Sequence, residues 1–183
     1  MISNDNHLNY SRALFDIALE ENKLDKYYKQ SLEVLDIFKN QQELIDFLRS
    51  FSIEQESKEE VITNVFLNEL KFEEFLVNFL KLITKKHRIL QINEIILDFE
   101  KIVLKHKNIA KGVVYSTKKV SKEKMAQIIE FVSKKLNQEV ILENIIDQSL
   151  IAGIKIVIGD KIFENTIVSQ LQQIKEHILK GGE

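Results

Sequence analysis

The chain has 183 residues, 44% of them hydrophobic and 30% charged, with a net charge of −2. That supports one domain or two small ones, each with a modest core, and argues against disorder or a strongly basic nucleic-acid binder. There is no cysteine, so disulfides and thiolate metal sites are excluded, and there is no proline, so helices are free to run long.

Residues 1 to about 106 read as six amphipathic helices. The first places Tyr10, Ala13, Leu14, Ile17 and Ala18 at i, i+3, i+4, i+7 and i+8. The second carries Leu24, Tyr28, Leu32, Leu35 and Phe38, and a short third holds Leu44, Ile45, Phe47 and Leu48. Ser52 followed by Gln55 resembles a capping box that starts a fourth helix, with Val61, Ile62, Val65 and Phe66. A fifth sets Phe72, Phe75, Leu76, Phe79, Leu80 and Ile83 around a broad apolar face; the sixth runs from Ile89 through Val103. Short connections make these a bundle.

The texture changes after Lys107. Gly112–Thr117 is β-prone, and Ser121 is placed to cap a helix bearing Met125, Ile128, Ile129, Val132 and Leu136. Glu139–Ile146 is a second strand, with Val140, Leu142 and Ile146 on one side. Asp147 and Ser149 form a turn, Ile154, Ile156 and Ile158 alternate along a third strand, and Gly159–Asp160 is a tight-turn pair. A short extended piece follows. Asn165 then caps a last helix with Ile167, Val168, Leu171, Ile174 and Ile178. The expected fold is therefore mainly α: a six-helix bundle over 1–106 and a small α+β domain over 107–183. Residues 1–105 carry 14 basic and 19 acidic side chains, net −5, and residues 106–183 carry 12 and 9, net +3. Such an imbalance suits two domains with different partners, or solvated surface drift.

No catalytic constellation stands out. The glycines at 153 and 159 are not followed by Gly-Lys-Ser/Thr, and Ser149 lies between Gln148 and Leu150, outside any nucleophile elbow. His7, His87, His106 and His177 lack metal-site spacing, and Glu54, Glu56, Glu59 and Glu60 read as a solvated helix face. The run Lys85-Lys86-His87-Arg88 closes the fifth helix, where cations favour the macrodipole; no aromatic platform surrounds it for nucleic acid. Neither a cofactor nor a metal is expected. The opening residues lack a secretory-signal layout, and no apolar run approaches the roughly 18 residues of a membrane span.

Three segments carry a family resemblance. Asp147-Gln148-Ser149-Leu150-Ile151-Ala152-Gly153, followed by a strand, Gly159-Asp160 and Glu164-Asn165-Thr166-Ile167, resembles the C-terminal signature of the delta subunit of F-type ATP synthases, called the oligomycin-sensitivity-conferring protein in mitochondria. Ala152 stands where a glycine is usual, and Glu164-Asn165-Thr166 where Asp-x-Ser is usual. Asn78-Phe79-Leu80-Lys81-Leu82-Ile83-Thr84-Lys85-Lys86-His87-Arg88 is similar to the family's Asn-Phe-Leu-x-Leu-Leu-x-x-x-x-Arg segment. Tyr10-Ser11-Arg12-Ala13-Leu14-Phe15-Asp16-Ile17-Ala18 is similar to its Tyr-Ala-x-Ala-Leu-x-x-x-Ala opening, with Ser11 for an alanine.

The resemblance implies a non-catalytic stator subunit. The helical domain would bind the N-terminal helices of the alpha subunits on the catalytic head, through Tyr10, Ala13, Leu14, Asn78 and Leu82. The C-terminal domain would bind the b subunit of the peripheral stalk. The protein would sit peripherally at the cytoplasmic face of the cell membrane, with no direct insertion and no nucleic acid. A small enzyme or a helical nucleic-acid-binding protein is the alternative. The two readings separate on whether the exposed side of helices one and five is apolar or basic.

Overall fold

A computed structural model describes residues 6–150 and 153–166. By its contacts the chain divides into two compact units, Met1–Val103 and Leu104–Glu183.

The first unit holds α1 (Asn6–Glu20), α2 (Leu24–Asn40), α3 (Gln42–Arg49), α4 (Gln55–Ile62), α5 (Glu74–Lys85) and α6 (Ile92–His106), the last running a few residues past the boundary. Two irregular turns interrupt the pattern. α4 runs on as a π-helical stretch, Thr63–Glu69, and a 3-10 turn, Ile89–Gln91, precedes α6. The core is continuous from Leu14 and Ala18 through Val34, Phe38, Phe66, Leu80 and Ile83 to Phe99 and Val103. With few glycines to end helices, left-handed φ falls instead to Asn22, Lys71, His87, Asn108 and Asn137.

Two local expectations need correction. On α2 the buried stripe is Tyr27, Ser31, Val34 and Phe38 with Gln30, one position off the expected line. Leu24, Tyr28 and Leu35 only flank the core. Both stripes share Phe38 and the helical period; in the observed one Tyr27 and Gln30 find polar partners, while the buried Ser31 hydroxyl has no hydrogen-bond partner among the described residues. The Tyr27 hydroxyl donates to Glu21 Oε2 at 2.6 Å, and Gln30 Oε1 accepts the Glu73 N–H at 3.0 Å. The Ser52 capping box does not form. Glu54 occupies the N-cap of α4 without a side-chain bond, while the Ser52 N–H is taken by Ser50 Oγ at 3.2 Å. The buried Lys58 ammonium donates to the Ser50 carbonyl and so ties α4 back to the end of α3.

The second unit contains β1 (Ile109–Ser116), α7 (Lys122–Leu136), β2 (Glu139–Ile146), β3 (Gly153–Ile158) and β4 (Lys161–Thr166). Seven α-helices, the π-helical stretch, the 3-10 turn and four strands thus account for the regular structure among the described residues, mainly α as expected. The sheet order is β2-β1-β3-β4, with β1 and β2 parallel and the other pairs antiparallel. α7 makes the connection that a parallel pair needs. Ser121 caps it, its Oγ accepting the Lys124 N–H at 3.3 Å. The piece after Gly159-Asp160 is a full strand: β4 pairs with β3 across that two-residue turn, Ile158 opposite Lys161. Asn165 therefore lies in β4 opposite Ile154. The expected final helix lies outside the described residues.

Val114, Val140, Ile156 and Ile158 form the inner face under Val132 of α7. Ile146, expected beside Val140, is exposed where β2 runs past that core. Gly112 is required for sheet closure. A Cβ there would stand 2.3 Å from Ile158 Cγ1 and 2.6 Å from the Val157 carbonyl oxygen.

Candidate protein-binding site

α1 reaches α5 through an aromatic contact. Tyr10 meets Phe79 with ring centroids 6.4 Å apart and planes at 73°, an edge-to-face arrangement. The far side of α1 is fixed to α6. Ser11 is fully buried, and its hydroxyl lies 2.7 Å from the Ile95 carbonyl. His7 Nδ1 lies 2.7 Å from Asp98 Oδ2, and Lys101 holds the other carboxylate oxygen at 2.8 Å. Burial alone would raise the Asp98 carboxyl, but the hydrogen bonds from Lys101 and His7 outweigh it and hold its pKa below the usual range.

This packing sorts the residues expected at an interface. Leu14 is wholly buried in the core and does not line the surface. Tyr10 is half-buried at the seam between α1 and α5. Ala13 is exposed three positions along α1, and Asn78 and Leu82 are exposed on α5, flanking Phe79. Phe75 joins them: it is 50% exposed, against 42% for Leu82. Phe75, Asn78 and Leu82 recur at i, i+3 and i+7, so they share one outward stripe. Periodicity sets Phe75 on the broad apolar face of this helix together with Leu76, Phe79, Leu80 and Ile83. α5 carries more apolar residues than its inward side holds, and periodicity alone does not tell which ones stay out.

The remaining candidate residues serve structure. In the basic run, Lys86 ends α5 and His87 takes φ 54°. The Arg88 N–H bonds the Ile83 carbonyl at 2.9 Å, and its guanidinium reaches Gln91. The Asp147 carboxylate accepts both the N–H and the hydroxyl of Ser149, at 2.9 and 2.7 Å, forming the expected turn. Among the described residues no cluster of three or more metal-ligating side chains occurs, and no helix is long and apolar enough to cross a membrane.

A helical unit with an apolar stripe facing out beside a packed helix pair, joined to a small α+β unit, has the build of a protein-binding subunit. Comparison with known proteins places it further. The profile of the ATP synthase delta (OSCP) subunit family matches residues 7–178, so the chain belongs to that family. It is 36% identical over 180 residues to the ATP synthase subunit delta of Mycoplasma mobile, covering 98% of each chain. It is 33% identical over 171 residues to that of Clostridium botulinum, covering 93% of this chain and 94% of the relative. Its fold matches a chain in the Toxoplasma gondii mitochondrial ATP synthase hexamer with a TM-score of 0.75, at 19% identity, over 95% of this chain and 97% of that one. It is accordingly a non-catalytic subunit of the ATP synthase complex.

Proposed function

We propose that the seam between α1 and α5 receives an amphipathic helix from the N-terminus of an alpha subunit, and that the second unit holds the b subunit of the peripheral stalk. The protein then joins head to stalk, peripherally at the cytoplasmic face of the cell membrane, and resists rotor torque so that proton flow drives ATP synthesis. The observation that carries this reading is the exposed stripe of Phe75, Asn78 and Leu82 on α5, with Ala13 exposed on α1. Its side chains are aromatic, aliphatic or neutral amide rather than basic, which suits a helix laid into a groove better than a phosphate backbone. Tyr10, Ala13, Asn78, Leu82 and Phe75 line it; Leu14 supports it from beneath. A pull-down of the whole chain with alpha N-terminal peptide and with b subunit tests the reading. Both should be retained, and failure to retain either removes that half of it.

A further inference from the structure

A second surface lies wholly within the α+β unit. β2 is an edge strand of the sheet. Between its end and the first turns of α7 is a hollow of about 590 Å³, lined by Val120, Met125, Ala126, Ile129 and Ile146. Its floor is apolar, and Ile146 is 54% exposed beside it.

Its rim is basic. Lys118, Lys119, Lys122 and Lys124 fall within seven residues, all exposed, with Glu123 the one acid among them. Lys119 and Lys122 line the hollow. Among the described residues none of the four lysines is in an ion pair. The rim is also held in place. Asn144 on β2 donates through Nδ2 to the Val114 carbonyl at 2.9 Å and to Ser116 Oγ at 2.7 Å, while its Oδ1 accepts the Val120 N–H at 2.9 Å. One side chain thus ties the β1–α7 loop to two strands, so the lysines are presented on a fixed frame and little ordering entropy is lost on binding.

We infer that this hollow is the seat of an acidic amphipathic helix from the stalk partner, one apolar side chain entering between Met125, Ile129 and Ile146 and carboxylates meeting Lys119 and Lys122. The inference rests on the proposal that the second unit binds the b subunit, and it commits that contact to the β2 edge and α7 rather than to the outer face of the sheet, where Tyr115, Ile145 and Ile162 stand.

The test uses the full chain and the b subunit without its membrane anchor. A photo-cross-linking residue, Ala126→p-benzoyl-phenylalanine, reports what enters the hollow, and the exposed site tolerates it. The expected product is a cross-link to b subunit. The pair Lys119→Glu and Lys122→Glu should weaken binding roughly tenfold, most at low salt, with the melting curve unchanged. A cross-link to residues 167–183 of the same chain, to a second copy, or to nothing while b subunit still binds would overturn the hollow and leave the stalk reading standing. So would unchanged affinity of the reversed pair. If the unaltered chain binds no b subunit, the stalk reading falls and this inference falls with it.

Discussion

Tyr10 stands edge-on to Phe79, and that contact sets the distance between α1 and α5. Behind it the Ser11 hydroxyl, close to the Ile95 carbonyl, and His7 beside Asp98 hold α1 on α6. The outward stripe of Phe75, Asn78 and Leu82 on α5 and the exposed Ala13 of α1 are therefore borne on a fixed frame.

The first prediction is placed on the exposed side of α1. Ala13→Asp puts a charge where the partner helix would bury it. Binding of an alpha N-terminal peptide should weaken by several kcal/mol, in order of magnitude. Because Ala13 is exposed, the free protein should melt as before. Calorimetric titration of the variant decides, and unchanged affinity removes α1 from the interface.

A second concerns acid. Glu73, at the N-cap of α5, receives Lys23 at 2.7 Å and also Lys26. Hydrogen bonds from Lys23 and then Lys26 hold its pKa below the usual carboxylate value, against the opposing effect of burial. A carboxyl depressed in the folded state adds stability that is present above its unfolded pKa, near 4.3, and is lost as pH falls through the folded value. Glu73→Gln should lower the melting temperature at pH 7 and narrow the gap from wild type as pH drops below about 4. A gap that is constant with pH would show that the pair carries no stability.

A third concerns the sheet. Gly112→Ala should destabilise the second unit by about 1–3 kcal/mol or more, because one of the clashing atoms is the Val157 backbone oxygen and cannot rotate away. Hydrogen exchange reads it by segment: β1 and β3 amides should lose protection while those of α2 and α5 keep theirs.

Gly159 differs in cause. Nothing lies within 4 Å of a Cβ there, but φ is +55°. Gly159→Val should cost at least the roughly 1–2 kcal/mol of a left-handed L-residue, and Gly159→Asn clearly less. Equal melting temperatures for the two variants would show that the turn rearranges.

The helices were legible because their apolar residues repeat at helical spacing, and the third strand because Ile154, Ile156 and Ile158 alternate. What was not legible depends on pairing at a distance. His7 and Asp98 are 91 residues apart. On α2 the buried Gln30 accepts the N–H of Glu73, 43 residues away, a partner that no local pattern reveals. Exposure was no easier to read. The Tyr10–Ala18 motif mixes the buried Leu14 with the exposed Ala13, and Phe75, on the broad apolar face of α5, is half exposed.

The last prediction separates the two units. Deleting residues 150–183 removes β3 and β4 and leaves β1 and β2 as an isolated pair under α7. Val114, Val132 and Val140 would lose Ile156 and Ile158, which complete their cluster. A two-stranded remnant is marginal in water, so the second unit should unfold. The first unit should not, because among the described residues the buried core of that unit lies between Leu14 and Val103. The truncated chain should keep a cooperative helical melt, bind alpha N-terminal peptide as before and lose b subunit in a pull-down. Retention of b subunit by the truncated chain, or loss of the helical melt together with the sheet, would sink the assignment of one partner to each unit.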